Sequence, residues 1–482
     1  MSRIARPPLA GMVGIALTVV TGWAQDPKSE IASLIDARRS AYTNVADQIW
    51  SFAELGYQEQ KSSALLQEQL RSAGFAVQSA VAGIPTAFVA TYGSGKPVIG
   101  VLAEFDALPG LSQAAVPERR PIVEHAPGHG CGHHLFGTAS VAAAIAVKDW
   151  MARTKQGGTL RVYGSPAEEG GGGKIYMVRA GLFNDADVVL DWHPGSENDA
   201  GPGSSLANKS GKFRFRGISA HASGAPWNGR SALDGVEAMD HMVNMMREHV
   251  PEGTRIHYVI TNGGAAPNVV PDFSEVYYYV RHKDAKVVLD VWDRIQKAAD
   301  GAAMGTGTKV ELEVINGVYA LLPNETLARA IDANLRRVGG VTYTPEERAF
   351  AEKIGTTLTG GAKDPGEASR VKPFAESDAG GSTDVGDVSW VVPNSGFSTA
   401  TWVPGTPAHS WQAVAAGGMS IGHKGMVNAA KTMALSVYDL LTTPSLVASA
   451  RAEFERRRGA GFAYRPLIGE RKPPLDYRVN PK

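Results

Sequence analysis

The sequence contains almost no cysteine and no excess of charge of either sign. Cys131 is the single cysteine among 482 residues, which excludes an intrachain disulfide framework and a cysteine-rich zinc module. Lys and Arg together number 48, as do Asp and Glu. A broad nucleic-acid-binding surface needs a basic excess, so no nucleic-acid partner is expected. With 43% hydrophobic residues the chain can form a sizeable core, and its length predicts about two to four domains.

Long apolar runs are also absent beyond the N-terminal region. There, two arginines precede an uncharged apolar run at 9–20, and small residues up to Ala24 suit cleavage before Gln25. The alternative is an uncleaved membrane anchor, but the run is shorter than the roughly 20 residues that span a bilayer. We therefore predict a signal peptide at residues 1–24, a periplasmic or secreted protein, and no membrane anchor after cleavage.

Short apolar runs alternate with helical patterns in the first half of the chain. Runs at 98–102, 159–163 and 188–190 fit buried strands, and the Ala/Val-rich stretch 134–150 fits a buried helix. This alternation predicts an α/β fold with a mostly parallel sheet.

The pattern changes after residue 205. The K-F-R-F-R run at 212–216 alternates polar and apolar residues, as a sheet with one solvated face does. We predict a discontinuous first domain, 25–207 and 321–445, into which an α+β unit of residues 208–320 is inserted. Residues 446–482 show little apolar periodicity and are expected to form a C-terminal tail.

Residues suited to metal chemistry follow the predicted strands. In open parallel sheets, ligands bind beyond the carboxyl ends of the strands. Candidate residues at these ends lie in E-F-D at 104–106, P-A-E-E at 166–169 and D-W-H at 191–193. Further candidates are the C-G-H motif at 131–133 and the distant His409.

The Cys131-Gly132-His133 motif can place a thiolate and an imidazole on one cation if the glycine lets the backbone bend tightly. A motif this short is usually a buried cysteine beside surface histidines. The histidines clustered around a lone cysteine in an exported protein favour a metal site.

The adjacent carboxylates Glu168 and Glu169 are most simply a solvated acidic turn. At the end of a strand, however, neighbouring side chains point in different directions. One can bind a metal while the other acts as general base on a water whose pKa the metal lowers. His193 and His409 are candidate metal ligands only in combination with these residues, because a lone histidine is most often a surface or core residue. Structural roles are expected for the histidines inside predicted helices or strands: His241, His249, His257, His282 and His423.

Taken together, these motifs resemble those of the M20 family of metallopeptidases and amidohydrolases, in its branch with a Cys-Gly-His metal motif. The resemblance covers about residues 30–445 in the expected order. The segments that carry it are EFDALPGL at 104–111, GHGCGHHLFGT at 128–138, PAEE at 166–169, DWHP at 191–194, SAHA at 219–222, GAAPNVVP at 264–271 and GSTDVGDVSW at 381–390.

The resemblance implies a metallohydrolase catalytic domain with two divalent metal ions, zinc or manganese, and an inserted lid domain that also mediates dimerisation. Glu168 would be the general base, and Asp106 would orient a ligating histidine from behind. His221 would reach across the dimer and polarise the scissile carbonyl. The metal ligands that the resemblance implies are Cys131, His133, Glu169, His193 and His409.

Asn268 and Arg281 match positions that hold the substrate's carboxylate, a task that suits an arginine fork; the alternative for Arg281 is a solvent-facing strand residue. Three features depart from the family's pattern. Glu104 stands in place of an aspartate, and His134 stands where relatives commonly have asparagine. The third feature is the predicted signal peptide, because the M20 enzymes that the chain most resembles are cytoplasmic.

The expected activity is hydrolysis of the amide bond of N-acyl amino acids, including N-aroyl conjugates such as p-aminobenzoyl-glutamate. The expected assembly is a homodimer, and an A-type partner subunit is a further candidate. Two alternatives remain open: an exported dipeptidase or carboxypeptidase, and a non-catalytic binding protein on a hydrolase fold.

Overall fold

A computed structural model describes residues 1–2, 5, 26–378 and 380–479. The predicted signal peptide, residues 1–24, lies outside the described residues except for residues 1–2 and 5.

Strands and helices alternate along both parts of the first domain. The strands are β1 (Ala76–Ser79), β2 (Phe88–Ser94), β3 (Val98–Ala103), β4 (Gly158–Gly164), β5 (Val188–Leu190), β6 (His193–Gly195), β7 (Gly203–Ser204), β8 (Ala207–Arg216), β9 (Arg255–Asn262), β10 (Phe273–His282), β11 (Lys309–Val318), β12 (Ser377–Asp378), β13 (Asn394–Ser395) and β14 (Ser398–Ala400). The α-helices are α1 (Pro27–Ala37), α2 (Arg39–Phe52), α3 (Gln60–Ser72), α4 (His133–Thr154), α5 (Gly173–Arg179), α6 (Ala232–Met246), α7 (Ala285–Thr306), α8 (Glu325–Val338), α9 (Pro345–Gly355), α10 (Val385–Ser389), α11 (Trp411–Gly417), α12 (Ser420–Thr442) and α13 (Pro444–Arg458).

The main sheet of the first domain has the strand order β1-β2-β4-β3-β5-β13. Strands β4, β3, β5 and β13 run parallel, whereas β1 and β2 are antiparallel to their neighbours. All six residues of β3 are buried, as expected for a central parallel strand. The mixed sheet and its helices confirm the α/β fold class.

Helix α4 crosses the core of this domain. Residues 133–147 are all buried, because glycines and the small side chains of the alanines let the helix pack closely against β3, β4 and α12. By length and composition α4 could cross a bilayer, but 83% of its most apolar window is buried inside the protein. Since the helix begins at His133, its first turn lies at the carboxyl edge of the sheet.

The inserted unit consists of one sheet layer and one helix layer with a hydrophobic core of its own. Its antiparallel sheet has the order β11-β8-β10-β9, and α6 and α7 pack against it. In β8 the alternation buries Phe213 and Phe215, which meet Tyr278 and Trp292 in a core that is distinct from that of the first domain. The α+β character predicted for this unit is confirmed, and β9 and β11 are the two edge strands of its sheet.

The C-terminal segment contains a helix that its apolar pattern does not show. Helix α13 is strongly polar, yet it buries Phe454 and Glu453. After it, residues 459–479 pack across the first domain, and side chains from elsewhere donate hydrogen bonds to backbone carbonyls of this segment, as Tyr176 does to Lys472 (3.3 Å). Such anchoring leaves no periodicity in the sequence. Hereafter residues 459–479 are called the C-terminal strap.

Candidate metal centre

The predicted metal ligands converge at the carboxyl edge of the main sheet. Two sets of ligand atoms each lie within 4.8 Å of one another and share the sulfur of Cys131. The two sets are Cys131 with His133 and His193, and Cys131 with Glu169 and His409. The structure therefore brings all five predicted ligands together from distant parts of the chain.

The turn at Gly132 sets the geometry of the Cys-Gly-His motif. Gly132 has φ +76°, and a Cβ there would lie 2.7 Å from Cβ of Pro194, so only glycine fits this turn. Cys131 is buried, and its Sγ lies 3.4 Å from Nε2 of His193. Nδ1 of His193 lies 2.7 Å from the carbonyl of Pro194; when it carries the proton it donates there, and Nε2 is left free to bind a metal.

Asp106 contacts two of the ligand segments at once. Its Oδ1 lies 2.9 Å from Nδ1 of His133, and its Oδ2 accepts a hydrogen bond of 2.9 Å from the backbone N–H of Glu169. The carboxylate is fully buried. The structure thus places Asp106 behind the ligands, in the orienting position that the resemblance implies.

His409 reaches the centre from the far end of the chain through a strained backbone. Its φ is +58°, a left-handed conformation that is costly for a residue other than glycine. Its backbone N–H donates to the carbonyl of Gly130 (2.9 Å), and its Nε2 lies 3.2 Å from Oε1 of Glu169. Strain of this kind commonly accompanies a functional position.

Glu168 belongs to neither of the two ligand sets but lies beside them. One of its carboxylate oxygens lies within 4.8 Å of the ligand atoms of Glu104 and His133. Burial raises the pKa of Glu168 well above its usual value, and the neighbouring carboxylates Glu104 and Glu169 raise it further. Glu168 therefore holds a proton more strongly than an ordinary glutamate.

A buried ion cluster beneath Glu168 was not anticipated from the sequence. The ammonium of Lys174 lies 2.6 Å from Glu104 and 2.7 Å from Asp384, and all three side chains are at most 1% exposed. Oε2 of Glu104 faces Nε2 of His133 at 3.0 Å. A lysine in a short amphipathic helix normally indicates a solvated face, so its burial gives no signal in one sequence.

The C-terminal strap also reaches the centre, which the sequence did not indicate. The hydroxyl of Tyr477 donates to the backbone carbonyl of Glu169 (3.0 Å), and Nη2 of Arg478 donates to the same oxygen (2.7 Å). Gln58 donates to the carbonyl of Leu475 (2.7 Å). The strap therefore fixes the backbone of the Glu168–Glu169 turn.

A cavity of about 590 Å³ opens in front of this turn. It lies between the first domain, the lid sheet and the strap, so a substrate there contacts all three. Its polar lining residues are Glu168, Glu169, Asn208, Tyr279, Arg281, Asn316, Ser382, Thr383, Asp384, His409 and Arg478. The guanidinium of Arg281, predicted to hold a carboxylate, thus faces the same cavity as Glu168.

His221 and Asn268 lie elsewhere, on adjoining loops of the lid. The backbone of Ala222 donates to the carbonyl of Asn268 (3.0 Å), and His221 is exposed. Neither residue lines the cavity that contains Glu168. Within the described part of one chain, the structure does not bring them to the metal centre.

His134, one of the departures from the family's pattern, faces away from the two ligand sets. It is buried, with its Nε2 3.1 Å from the carbonyl of Gly417 and its ring 4.9 Å from that of His129. It contributes to the packing of α4 against α11 and does not reach the mouth of the cleft.

The residues present fit a divalent metal. Nε2 of His133 and Oε2 of Glu104 are buried 3.0 Å apart without the geometry of a hydrogen bond, and buried polar atoms in this state are costly unless a ligand satisfies them. Burial raises the pKa of the Cys131 thiol, so a thiolate there needs a neighbouring cation. The same burial, with the charge of His133, lowers the pKa of His193 to about 4, which keeps its imidazole in the neutral form that binds metals.

The sequence matches known proteins over most of its length. Residues 207–306 match a family model described as a peptidase dimerisation domain. The chain is 43% identical over 453 residues to the B-type subunit of p-aminobenzoyl-glutamate hydrolase from Escherichia coli K12, covering 88% of this chain and 94% of the relative. It is 30% identical to the Xaa-Arg dipeptidase of Mus musculus, covering 89% of this chain and 92% of that protein.

Solved structures show the same fold. An aminobenzoyl-glutamate utilization protein from Klebsiella pneumoniae matches with a TM-score of 0.60 at 18% identity, covering 86% of this chain and 98% of the other. A dinuclear metal-binding peptidase of the M20 family from Bacillus subtilis matches with a TM-score of 0.57 at 18% identity, covering 84% and 99%. The arrangement of a main domain and an inserted lid is thus an established one.

Proposed function

The chain belongs to the M20 family of metal-dependent peptidases and amidohydrolases, and from that premise we propose that it hydrolyses the amide bond of N-acyl amino acids, N-aroyl amino acids among them. The observation that carries this proposal is the convergence of the two ligand sets beside Glu168, at the wall of a cavity that Arg281 also lines. The relative that is 43% identical is named for hydrolysis of such a conjugate.

Two divalent metal ions are held, in this proposal, by Cys131, His133, Glu169, His193 and His409. Their mixed sulfur, nitrogen and oxygen donors suit zinc and are compatible with manganese. When bound, such ions polarise the scissile carbonyl and acidify water.

Glu168 takes the proton of the attacking water and delivers it to the leaving amine of the amino acid. Its pKa, raised by burial and by neighbouring carboxylates, favours the protonated form that donates to the leaving amine. The cation of Lys174 and the charge of bound metal ions would favour the ionised form that accepts the proton of water. Arg281 holds the substrate's α-carboxylate with its planar fork.

His221 donates a hydrogen bond to the carbonyl oxygen in the active site of a second copy of the chain. Its Nδ1 accepts from the backbone N–H groups of Gly224 (3.1 Å) and Ser223 (3.3 Å), so the proton of the neutral ring is on Nε2. A ring held in this tautomer is a donor suited to developing negative charge on an oxygen. Its exposure and its distance from its own cavity favour action on a partner.

A homodimer through the lid would provide that partner. The lid carries the peptidase dimerisation domain, and exposed apolar side chains lie on its edge strand β9 and on the neighbouring loops. These are Val259 at 56%, Ile260 at 40%, Trp227 at 71% and Val269 at 46% exposed. Light scattering on the purified chain measures the mass directly, and a monomer at assay concentrations contradicts this assembly.

Export to the periplasm or the medium is the last part of the proposal. It rests on the signal-peptide pattern of residues 1–24. N-terminal sequencing of the protein from the periplasmic or culture fraction should begin at Gln25, and recovery of the intact N terminus from the cytoplasm contradicts export.

The activity is tested by a substrate panel on the metal-loaded mature chain, with metal content measured in parallel. The panel includes N-acyl and N-aroyl derivatives of several amino acids together with dipeptides. Release of the free amino acid from N-acyl substrates is the expected result. If only dipeptides are cleaved, the enzyme is a dipeptidase, and a metal-loaded protein that cleaves nothing contradicts the proposal. Because the chain is assayed alone, activity also shows that no second, A-type subunit is required.

A further inference from the structure

Two arginines occupy directly opposite positions on neighbouring strands of the lid sheet. Arg281 of β10 pairs directly with Arg255 of β9, and the next pair on the same face is Tyr279 with His257. Side chains at directly opposite positions of an antiparallel pair lie on one face with their Cβ atoms about 4.5–5.5 Å apart, and like charges there are destabilising. An anion bound between the two guanidinium groups would offset this repulsion.

Among the side chains that the structure describes, no carboxylate forms an ion pair with either guanidinium. Nη1 of Arg255 donates to the carbonyl of Thr254 (3.2 Å), and Nη1 of Arg281 donates to the hydroxyl of Ser382 (3.3 Å). Both partners are uncharged. Elsewhere on the same sheet the arrangement differs, since Arg214 lies 2.7 Å from Glu275 and 2.6 Å from Glu313.

These groups line a cavity of about 600 Å³. It is bordered by Leu206, Gly253, Arg255, His257, Tyr279, Arg281 and Gly380. Tyr279 and Arg281 also line the cavity in front of Glu168, so these two side chains border both spaces. A ligand held by Arg281 beside the metal centre can therefore extend toward Arg255 and His257.

We propose that Arg255 and His257 form an anion subsite for the side-chain carboxylate of the substrate's amino acid, beside Arg281, which holds the α-carboxylate. The substrate class is then the N-acyl dicarboxylic amino acids, whose two carboxylates are separated by only a few bonds and can meet two neighbouring cationic side chains. The proposal rests on the hydrolase function and assigns new residues to it. Arg255 and Arg281 offer charge-assisted hydrogen bonds to the two carboxylates, and His257, whose pKa is lowered by partial burial and by the neighbouring arginines, offers the N–H of a neutral ring.

The subsite also predicts which substrates are rejected. A cationic side chain placed between Arg255 and Arg281 meets like charge on both sides. The 30% identical relative is named for cleavage next to arginine. This chain, in contrast, should cleave acyl-arginine far more slowly than acyl-glutamate.

The first test compares three substrates that share one acyl group: the N-(4-aminobenzoyl) derivatives of glutamate, glutamine and arginine. Glutamine is nearly isosteric with glutamate but lacks its charge. For the wild type we expect kcat/KM to fall in the order glutamate, glutamine, arginine, with about tenfold or more between the first two, as loss of a charged hydrogen bond implies.

In Arg255→Gln, and to a smaller extent in His257→Gln, the glutamate-to-glutamine ratio should collapse several-fold, chiefly through KM. Hydrolysis of the glutamine substrate should fall much less, because its side chain carries no charge for the subsite to hold. Arg216→Gln is the matched control, because Arg216 is an exposed arginine on the same sheet whose nearest carboxylate, Glu311, is 3.9 Å away. A ratio that is unchanged in both subsite variants overturns the proposal.

The second test separates the subsite from catalysis. Binding of glutarate and of its monoamide to the metal-loaded chain is measured by calorimetry. Glutarate should bind the wild type more tightly than the monoamide, and Arg255→Gln should weaken glutarate binding about tenfold while Arg216→Gln does not. Equal affinity of the wild type for both compounds contradicts the subsite even if hydrolysis is confirmed. The predicted binding pattern in a chain that cleaves no N-acyl amino acid would support the subsite and refute only the hydrolase activity.

Discussion

Asp106 and His133 are joined by a fully buried contact of 2.9 Å between Oδ1 of the carboxylate and Nδ1 of the imidazole. The other oxygen of Asp106 accepts from the backbone of Glu169. One carboxylate therefore orients two predicted ligands that are distant in sequence, one through its ring and the other through its main chain.

Replacing this carboxylate should weaken metal binding without removing a ligand. In Asp106→Asn the uncharged amide cannot contact His133 and accept from the N–H of Glu169 as the carboxylate does. Loss of such a supporting group typically lowers metal affinity or activity about 10–100-fold. Competition with a fluorescent chelator measures the affinity, and circular dichroism checks the fold. An affinity equal to that of the wild type would show that Asp106 does not orient the ligands.

Glu168 and Glu169 offer a matched pair of variants, because they are adjacent and differ only in role. Glu168→Gln should lower kcat by about 10²–10⁴-fold, the contribution typical of general acid–base catalysis, while metal content stays complete. Glu169→Gln should instead reduce metal occupancy. Elemental analysis and steady-state kinetics on both proteins decide between the roles. Equal metal loss in the two variants would contradict the assignment of Glu168 as base.

Cys131 is common to both ligand sets, so Cys131→Ala should reduce the occupancy of both ions. The control is His134→Asn, since His134 is also buried beside the centre but contacts the carbonyl of Gly417. That variant should keep its metal. Full occupancy of both ions in Cys131→Ala, measured by elemental analysis after dialysis, would rule out the cysteine as a ligand.

Sharing of active sites between two copies can be tested by subunit mixing. Glu168→Gln and His221→Ala should each be nearly inactive as homodimers. In a mixed dimer, one site combines an intact Glu168 with an intact His221 from the other subunit. Random exchange should therefore restore about a quarter of wild-type activity. If each His221 acts within its own chain, mixing restores nothing.

The buried carboxylate of Glu453 forms a contact between α13 and α8 that should weaken in acid. Burial favours its protonated form, but the hydroxyl and backbone N–H of Thr326, the N–H of Glu325 and the guanidinium of Arg457 together hold its pKa at about 2, below the ordinary 4.5. A lowered pKa stabilises the folded state above pH 4.5, and this stabilisation is lost as the pH falls toward 2.

Glu453→Gln should therefore lower the free energy of unfolding at pH 7 by up to roughly 3 kcal/mol, and the difference from wild type should shrink between pH 4.5 and pH 2. Denaturant titrations at several pH values measure this. Glu455→Gln changes an exposed glutamate of the same helix and should have no such effect. A pH-independent difference for Glu453→Gln would show that its charge is not what stabilises the contact.

Much of the fold could be predicted from local pattern. The apolar run that forms β3 and the Ala-rich stretch of α4 predicted their own burial, and motifs that follow parallel strands necessarily meet at one edge of a sheet. The buried cluster of Lys174 with Glu104 and Asp384 could not be predicted in this way. Its members are charged residues from three separate segments, and charged residues are mostly exposed.

The pairing of Arg255 with Arg281 was equally hidden, because it depends on the register between β9 and β10. Each residue alone is typical of a solvated strand face, and His257 carried no signal beyond that. The strap could not be predicted because its contacts use backbone carbonyls as acceptors, which every sequence offers.

The strap also makes the turn of Glu168 and Glu169 depend on a distant part of the chain. Tyr477 and Arg478 fix the carbonyl of Glu169 across 308 and 309 positions of sequence. The first domain and the lid have hydrophobic cores of their own, so proteolytic removal of the strap would loosen this turn while both cores remain. The strap thus acts as a detachable brace for the proposed base and one proposed ligand.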